Sequence, residues 1–154
     1  VDLIGPWKIA VPDGIVEFFA LTMIDTTTTL SEIVRIDNKT SQHVAMHFEN
    51  SWLARYPRPI RCVHDPGSEF VGAHFQSTLA AFGIDHVPCT PKNPQSNAIC
   101  ERMHSTVGDM LRTLCRQDPP QNVATAIELV DSALASAQYG LRTAVHRTLG
   151  ISPG

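Results

Sequence analysis

The chain has 154 residues, 43% of them hydrophobic, which suits one domain with a buried core and leaves little room for a second. Twelve Lys and Arg stand against fifteen Asp and Glu, for a formal charge of −3. That balance excludes the global basic field typical of nucleic-acid binders, so any DNA contact has to be local. No apolar run approaches the roughly 18 residues of a membrane span, and the residues from Val1 onward show neither a basic n-region nor an apolar h-region. The reading is of a soluble piece cut from a longer chain, with no membrane partner. Cys62, Cys89, Cys100 and Cys115 lie far apart, without CxxC or zinc-finger spacing. They are expected to be buried free thiols in a reducing compartment.

In chain order, residues 1–5 predict a strand stopped by Gly5-Pro6, and residues 7–15 a hairpin loop or short strand end. Val16 to Thr26 is a nearly continuous apolar run, as expected for a strand covered on both faces, with Leu30 to Ile36 as its hairpin partner. Ser41 is placed to cap a helix from Gln42 to about Arg55, with Val44 or Ala45, Phe48 and Trp52 on its apolar side. Ile60 to His64 predicts a short buried strand. Phe70 to Phe82 predicts a helix closed by Gly83, and Ile84 to Cys89 another strand. After a polar loop, Thr90 to Ser96, a helix is expected from about Asn97 to Cys115. At about 100° per residue, Ile99, Met103, Thr106, Met110 and Leu114 share one side, and Glu101, Ser105, Gly108 and Arg112 the other. Val123, Ile127, Val130, Leu134 and Ala137 mark a last helix before Gly140. Strands alternating with helices predict an α/β domain with a mixed or parallel sheet.

Three carboxylates stand out in this frame. Asp2 lies in the first apolar run, Asp65 follows an apolar strand and precedes Pro66-Gly67, and thirty-five residues separate Asp65 from Glu101. Each has a plain alternative: a surface carboxylate, a turn residue and a complement to a helix dipole. Asp25, which also ends an apolar run, rivals Asp2. Together with Val1 to Pro6, Asp65-Pro66-Gly67-Ser68-Glu69-Phe70, Asn93-Pro94-Gln95-Ser96, Glu101-Arg102 and the tail from His146 to Pro153, the trio resembles the D,D-35-E catalytic core of retroviral and retrotransposon integrases, most closely the gypsy type.

The resemblance covers nearly the whole chain and carries several expectations. It implies a ribonuclease H-like fold, with a five-stranded mixed sheet flanked by helices, over residues 1–154. It selects Asp2, Asp65 and Glu101 as catalytic metal ligands for two Mg²⁺ or Mn²⁺ ions, whose hardness suits carboxylate oxygen. It implies 3′-end processing and strand transfer of retroelement DNA into host DNA. Asn93, Gln95, Ser96 and Asn97 become DNA contacts on an active-site loop, continued by Arg102, His104, Ser105 and Arg112 on the following helix. Without the resemblance, Arg102 and Arg112 read equally well as a solvated helix face. A homodimer through the core, larger assemblies on DNA, and work in the host nucleus after entry from cytoplasmic particles also follow. The zinc-binding module and basic C-terminal region usual in the family are not in this sequence. Ala98 and Gly108 depart from the pattern: the family often has glycine at the first position, and retroviral members commonly have a DNA-contacting lysine at the second. The alternatives are a ribonuclease H-like nuclease, a DDE transposase, or a domesticated non-catalytic DNA-binding or interaction module. His43 and His47, at i and i+4, are expected to be a surface pair. Strand alternation points His64 away from Asp65, and Trp7 and Trp52 are expected to pack or form oligomer contacts.

Overall fold

The computed structural model describes residues 1–89, 94–144, 150 and 152–153, with residues 94–100 described by backbone alone. Strands β1 (Asp2–Val11), β2 (Gly14–Ile24) and β3 (Ser31–Ile36) form an antiparallel meander. Strands β4 (Arg61–His64) and β5 (Asp85–Pro88) form a separate parallel pair. The expected single five-stranded sheet is thus split among the described residues. The Val1 nitrogen donates to the Val63 carbonyl at 2.8 Å, which brings the start of β1 against β4. With only four residues in β4, that contact does not extend into a ladder.

Gly5-Pro6 does not stop β1, contrary to expectation. Pairing runs from Ile4 opposite Ala20 to Trp7 opposite Phe18, so the two residues sit in a bulge and β1 continues to Val11. Gly5 has φ +111°, and a Cβ there would lie 2.6 Å from the Phe18 carbonyl oxygen, so both conformation and space require glycine. Strand β2 is covered on both faces, as its apolar run predicts. Phe18 and Ala20 enter one core cluster, while Leu21 and Met23 enter the other.

On the second side lie α1 (Ser41–Phe48), which continues as a π-turn over Glu49–Leu53, α2 (Ser68–Val71) and α3 (Ala73–Ala81). The cap of α1 is Thr40, one residue before the predicted Ser41; its hydroxyl accepts from the His43 amide. Ser41 instead reaches across to accept from the Phe75 amide at 2.9 Å, near the start of α3. There the expected helix from 70 to 82 is broken at Gly72, which is extended at ψ 151°. A Cβ on Gly72 would stand 2.5 Å from that of Ser41, so close packing against α1 accounts for the break. Phe70, Phe75 and Leu79 are buried, whereas Phe82, on the same helical face as Phe75 and Leu79, is 40% exposed. Gly83, at φ +63°, closes α3 as the sequence suggests.

On the first side, α4 (Pro94–Gln117) and α5 (Val123–Thr143) pack against the meander. The buried stripe of α4 is Met103, Val107 and Leu111, with Met110 and Leu114 partly covered. Thr106, assigned to that stripe from sequence, is exposed and bonds back to the Arg102 carbonyl. Helix α5 runs past Gly140 to Thr143 and buries Ala126, Val130, Ala133, Leu134 and Ala137, leaving Val123 exposed. Among the described residues, no helix is long and apolar enough to cross a membrane. Cys62, Cys89 and Cys115 are free, but only Cys62 is buried; Cys89 is exposed, so the expectation of buried thiols fails there. Trp52 is a core residue and Trp7 packs partly buried against the first cluster.

Candidate active site

Asp2 opens β1, and Asp65 directly follows β4, the strand that Val1 touches. Their carboxylates therefore approach each other at one edge of the meander. Asp2 is half-buried: its Oδ1 accepts from the Leu3 amide at 2.9 Å, and its carbonyl accepts from the Thr22 hydroxyl at 3.0 Å. Burial raises the Asp2 pKa above its ordinary value; His104 opposes that rise and the negative charge of Asp65 adds to it. Asp65 is exposed, and its Oδ1 accepts from the Gly67 amide at 3.0 Å, so the turn role read from Asp-Pro-Gly is present too. A Cβ on Gly67 would lie 2.9 Å from that same Oδ1, so the glycine leaves room for the carboxylate.

Helix α4 brings the third candidate. Met103 anchors the helix to the core, and Glu101 is exposed, facing away from that core as its helical angle predicts. One turn on, at i+3 from Glu101, His104 turns back toward β1. Its Nε2 lies 3.8 Å from Asp2 Oδ2 and is buried without a hydrogen-bond partner. Burial lowers the His104 pKa below 6.5, against the opposing pull of Asp2 and Glu101. At 3.8 Å the contact with Asp2 is too long for a hydrogen bond. Sequence reasoning placed His104 with the DNA contacts; its spacing from Glu101 is the signal that would have placed it beside Asp2.

The remaining candidates sit as follows. Asn93 lies outside the described residues, and the predicted loop is described only from Pro94. There the chain is already helical, so Gln95, Ser96 and Asn97 occupy the first turn of α4 rather than a loop. Pro94 suits a first helical position, where a missing N–H costs nothing. Arg102 and Ser105 are exposed on α4, and Arg112 is paired with Asp109 on the same helix. Asp25, the rival first ligand, is engaged in its own turn. Burial alone would raise its pKa, but hydrogen bonds from the Thr28 hydroxyl and the Thr27 and Thr28 amides hold it below the usual value. His64 is buried while Asp65 is exposed, in keeping with the opposite faces that alternation predicts, and it donates through Nδ1 to the Asp65 carbonyl at 2.7 Å. His43 and His47 meet at 3.1 Å between Nε2 atoms on α1, half-buried.

Among the described residues, no three His, Cys, Asp or Glu side chains close into a group that could hold a metal ion. What the structure supplies is an open arrangement of Asp2 in contact with His104, Asp65 within reach of Asp2's charge, and Glu101 within reach of that of His104. Carboxylate oxygens are the donors that hard divalent cations take, and the mutual repulsion of Asp2 and Asp65 is what a cation would relieve. On that chemistry the residues present fit a divalent cation.

The integrase core domain model matches residues 2–94. The Pol polyprotein of caprine arthritis encephalitis virus (strain Cork) is 28% identical over 133 residues, covering 86% of this chain and 11% of that one. The chain thus spans about a tenth of the length of that curated relative. The catalytic core domain of BIV integrase superposes with a TM-score of 0.69 at 21% identity, covering 99% of this chain and 88% of the other. The HTLV-2 integrase catalytic core domain in complex with magnesium, in a trimeric form, gives 0.67 at 17% identity over 89% and 82%. These likenesses show the mixed α/β fold of integrase catalytic cores. With the family model matching well over half of its residues, the chain belongs to the integrase core domain family.

Proposed function

We propose that the chain is the catalytic core of a retroelement integrase of the gypsy type, cut from a longer integrase or polyprotein, and that Asp2, Asp65 and Glu101 are its DDE trio. The observation that carries this is the meeting of Asp2, at the start of β1, with Asp65, at the end of β4, so that the charge of one bears on the other. The reaction assigned is polynucleotidyl transfer: 3′-end processing of element DNA with water, then attack of the 3′-OH on target DNA. Asp2 and Asp65 would share one Mg²⁺ or Mn²⁺, and Asp2 and Glu101 a second. Bound there, such ions activate the attacking oxygen and stabilise charge on the phosphate and leaving oxygen. The magnesium complex of the HTLV-2 core supports the choice of cation.

The chain's own residues do the rest. Gly67 and its amide orient Asp65, Met103 and Val107 anchor α4 to the core, His104 reaches Asp2 from that helix, and Glu101 would supply the third carboxylate. Arg102, Ser105 and Arg112 lie along α4, where a bound duplex would run, and Gln95, Ser96 and Asn97 at its N-terminus offer amides and backbone N–H groups to a phosphate, with Asn93 before them. Arg112 would exchange Asp109 for phosphate. Element and target DNA are the partners, with a homodimer through the core and a larger assembly on DNA, at work in the host nucleus.

One observation favours a second reading, a non-catalytic DNA-binding or interaction module: the three-donor set is open among the described residues. Incubating a labelled element-end duplex with the chain, supplied with basic flanking domains and Mn²⁺, separates the readings. Joined strand-transfer products that vanish in Asp65→Asn support integration. Trimmed ends alone indicate a nuclease, and DNA retention with no Asp65-dependent product would establish the module.

A further inference from the structure

Resting on that metal-dependent reading, we infer that His64 is a positioning residue for the site: from inside the core, its ring holds the main chain of Asp65 in the conformation that presents the carboxylate to a cation. His64 is 1% exposed, and its Nδ1 lies 2.7 Å from the Asp65 carbonyl oxygen. A carbonyl oxygen can only accept, so the ring proton sits on Nδ1. Nε2 is buried with no hydrogen-bond partner. The bond to Asp65 is thus the one polar contact that this buried ring makes among the described residues.

The ring's surroundings keep it aimed. Phe70 of α2 and His86 of β5 stack on it, with centroids 5.5 and 6.0 Å away, and Phe75 of α3 meets it edge-on at 6.0 Å. A side chain close-packed against three rings is held in one rotamer. The main chain of β4 is tied on both sides: the Val63 carbonyl accepts from the Val1 nitrogen at 2.8 Å, and the His64 carbonyl from the Cys89 amide at 2.6 Å. Asp65 lies just past the last paired residue of β4, where the ladder no longer sets its conformation. Holding its carbonyl fixes ψ there, while the Gly67 amide holds Oδ1. Partners of this kind orient a metal ligand without touching the ion, and their loss typically costs about 10- to 100-fold in metal affinity.

Two substitutions in the whole chain separate the hydrogen bond from the packing. His64→Phe keeps an aromatic ring among Phe70, Phe75 and His86 but has no donor, whereas His64→Asn puts an amide N–H where Nδ1 stood and leaves much of the ring's space empty. Mn²⁺ binding is titrated by electron paramagnetic resonance below the melting temperature of the less stable variant, and melting is followed by calorimetry. His64→Phe should bind Mn²⁺ about tenfold more weakly than the parent while melting close to it. His64→Asn should melt lower yet retain the parent's affinity. In the parent, ¹H–¹⁵N correlation should find the His64 ring proton on Nδ1. Unchanged affinity in His64→Phe, or a loss in His64→Asn as large as that in His64→Phe, overturns the role of His64 and leaves the proposed function standing. A ring proton on Nε2 does the same. Absence in the parent of any Mn²⁺ binding that Asp65→Asn abolishes overturns both.

Discussion

Glu32 is the charged residue on which the far side of the fold depends. It is 2% exposed in β3, and four side chains converge on it. The Tyr56 hydroxyl donates to Oε1 at 2.5 Å and Gln138 Nε2 to Oε2 at 2.7 Å; Arg142 also contacts Oε1, with Arg55 at 3.5 Å. The network ties β3 to α5 and to the turn after α1. Glu32→Gln keeps the shape but removes the charge and turns one acceptor into a donor facing donors. Breaking a buried ion pair in this way costs about 3–5 kcal/mol. Arg142 and Arg55 are 30% and 58% exposed, which places the loss near the lower end, about 3 kcal/mol. For a domain of this size, each kcal/mol moves the melting temperature by about 2–4 °C, so a fall of about 6–12 °C is expected by calorimetry. Tyr56→Phe removes one donor and leaves the charge pair intact, for about 1 kcal/mol and a few degrees. Because β2 separates β3 from β1, Mn²⁺ binding at Asp2 should be unchanged in both variants below their melting temperatures. A Glu32→Gln fall smaller than that of Tyr56→Phe would refute this account of the network.

Gly108 sits inside α4, where a Cβ would meet only ordinary contacts, at 3.7 Å to Arg112 and 4.0 Å to Trp7. Gly108→Ala should therefore stabilise by up to about 1 kcal/mol in a denaturant titration, and a loss would contradict the helical packing described. At Gly67 an added Cβ would press on the mobile ends of Asp65 and Glu69. Gly67→Ala should weaken Mn²⁺ binding while shifting the melting temperature by no more than about 2 °C; unchanged binding would remove Gly67 from the positioning of Asp65. Asp25 has a depressed pKa, so its turn stabilises the fold above the ordinary carboxylate value of 3.8 and that stability is lost as pH falls through the folded value. Asp25→Ala should be less stable than the parent near pH 7 and match it in strong acid; a difference constant with pH would overturn this.

Much of the frame was legible because its causes are local. The unbroken apolar run of β2 reflects cover on both faces, and Asp65 was legible as a turn residue at a strand end, whereas Asp2 was chosen over Asp25 only through the family resemblance. What stayed hidden depends on distant partners. The break at Gly72 is set by Ser41 on another helix, and nothing near Gly5 says that β1 resumes its pairing with β2 after the bulge. On α4, rotation alone does not choose between neighbouring stripes. The apolar Val107 and Leu111, four residues apart and following Met103, carried the right choice, and Thr106 diverted it. The burial of Glu32 follows from Arg142 and Gln138, more than a hundred residues away.

The most direct test of the account is anomalous diffraction at the manganese edge from crystals soaked in Mn²⁺. The prediction is two ions about 4 Å apart, one between Asp2 and Asp65 and the other between Asp2 and Glu101. Crystals with no anomalous peak at Asp2, or with the Glu101 carboxylate more than about 10 Å from every bound ion, would contradict it.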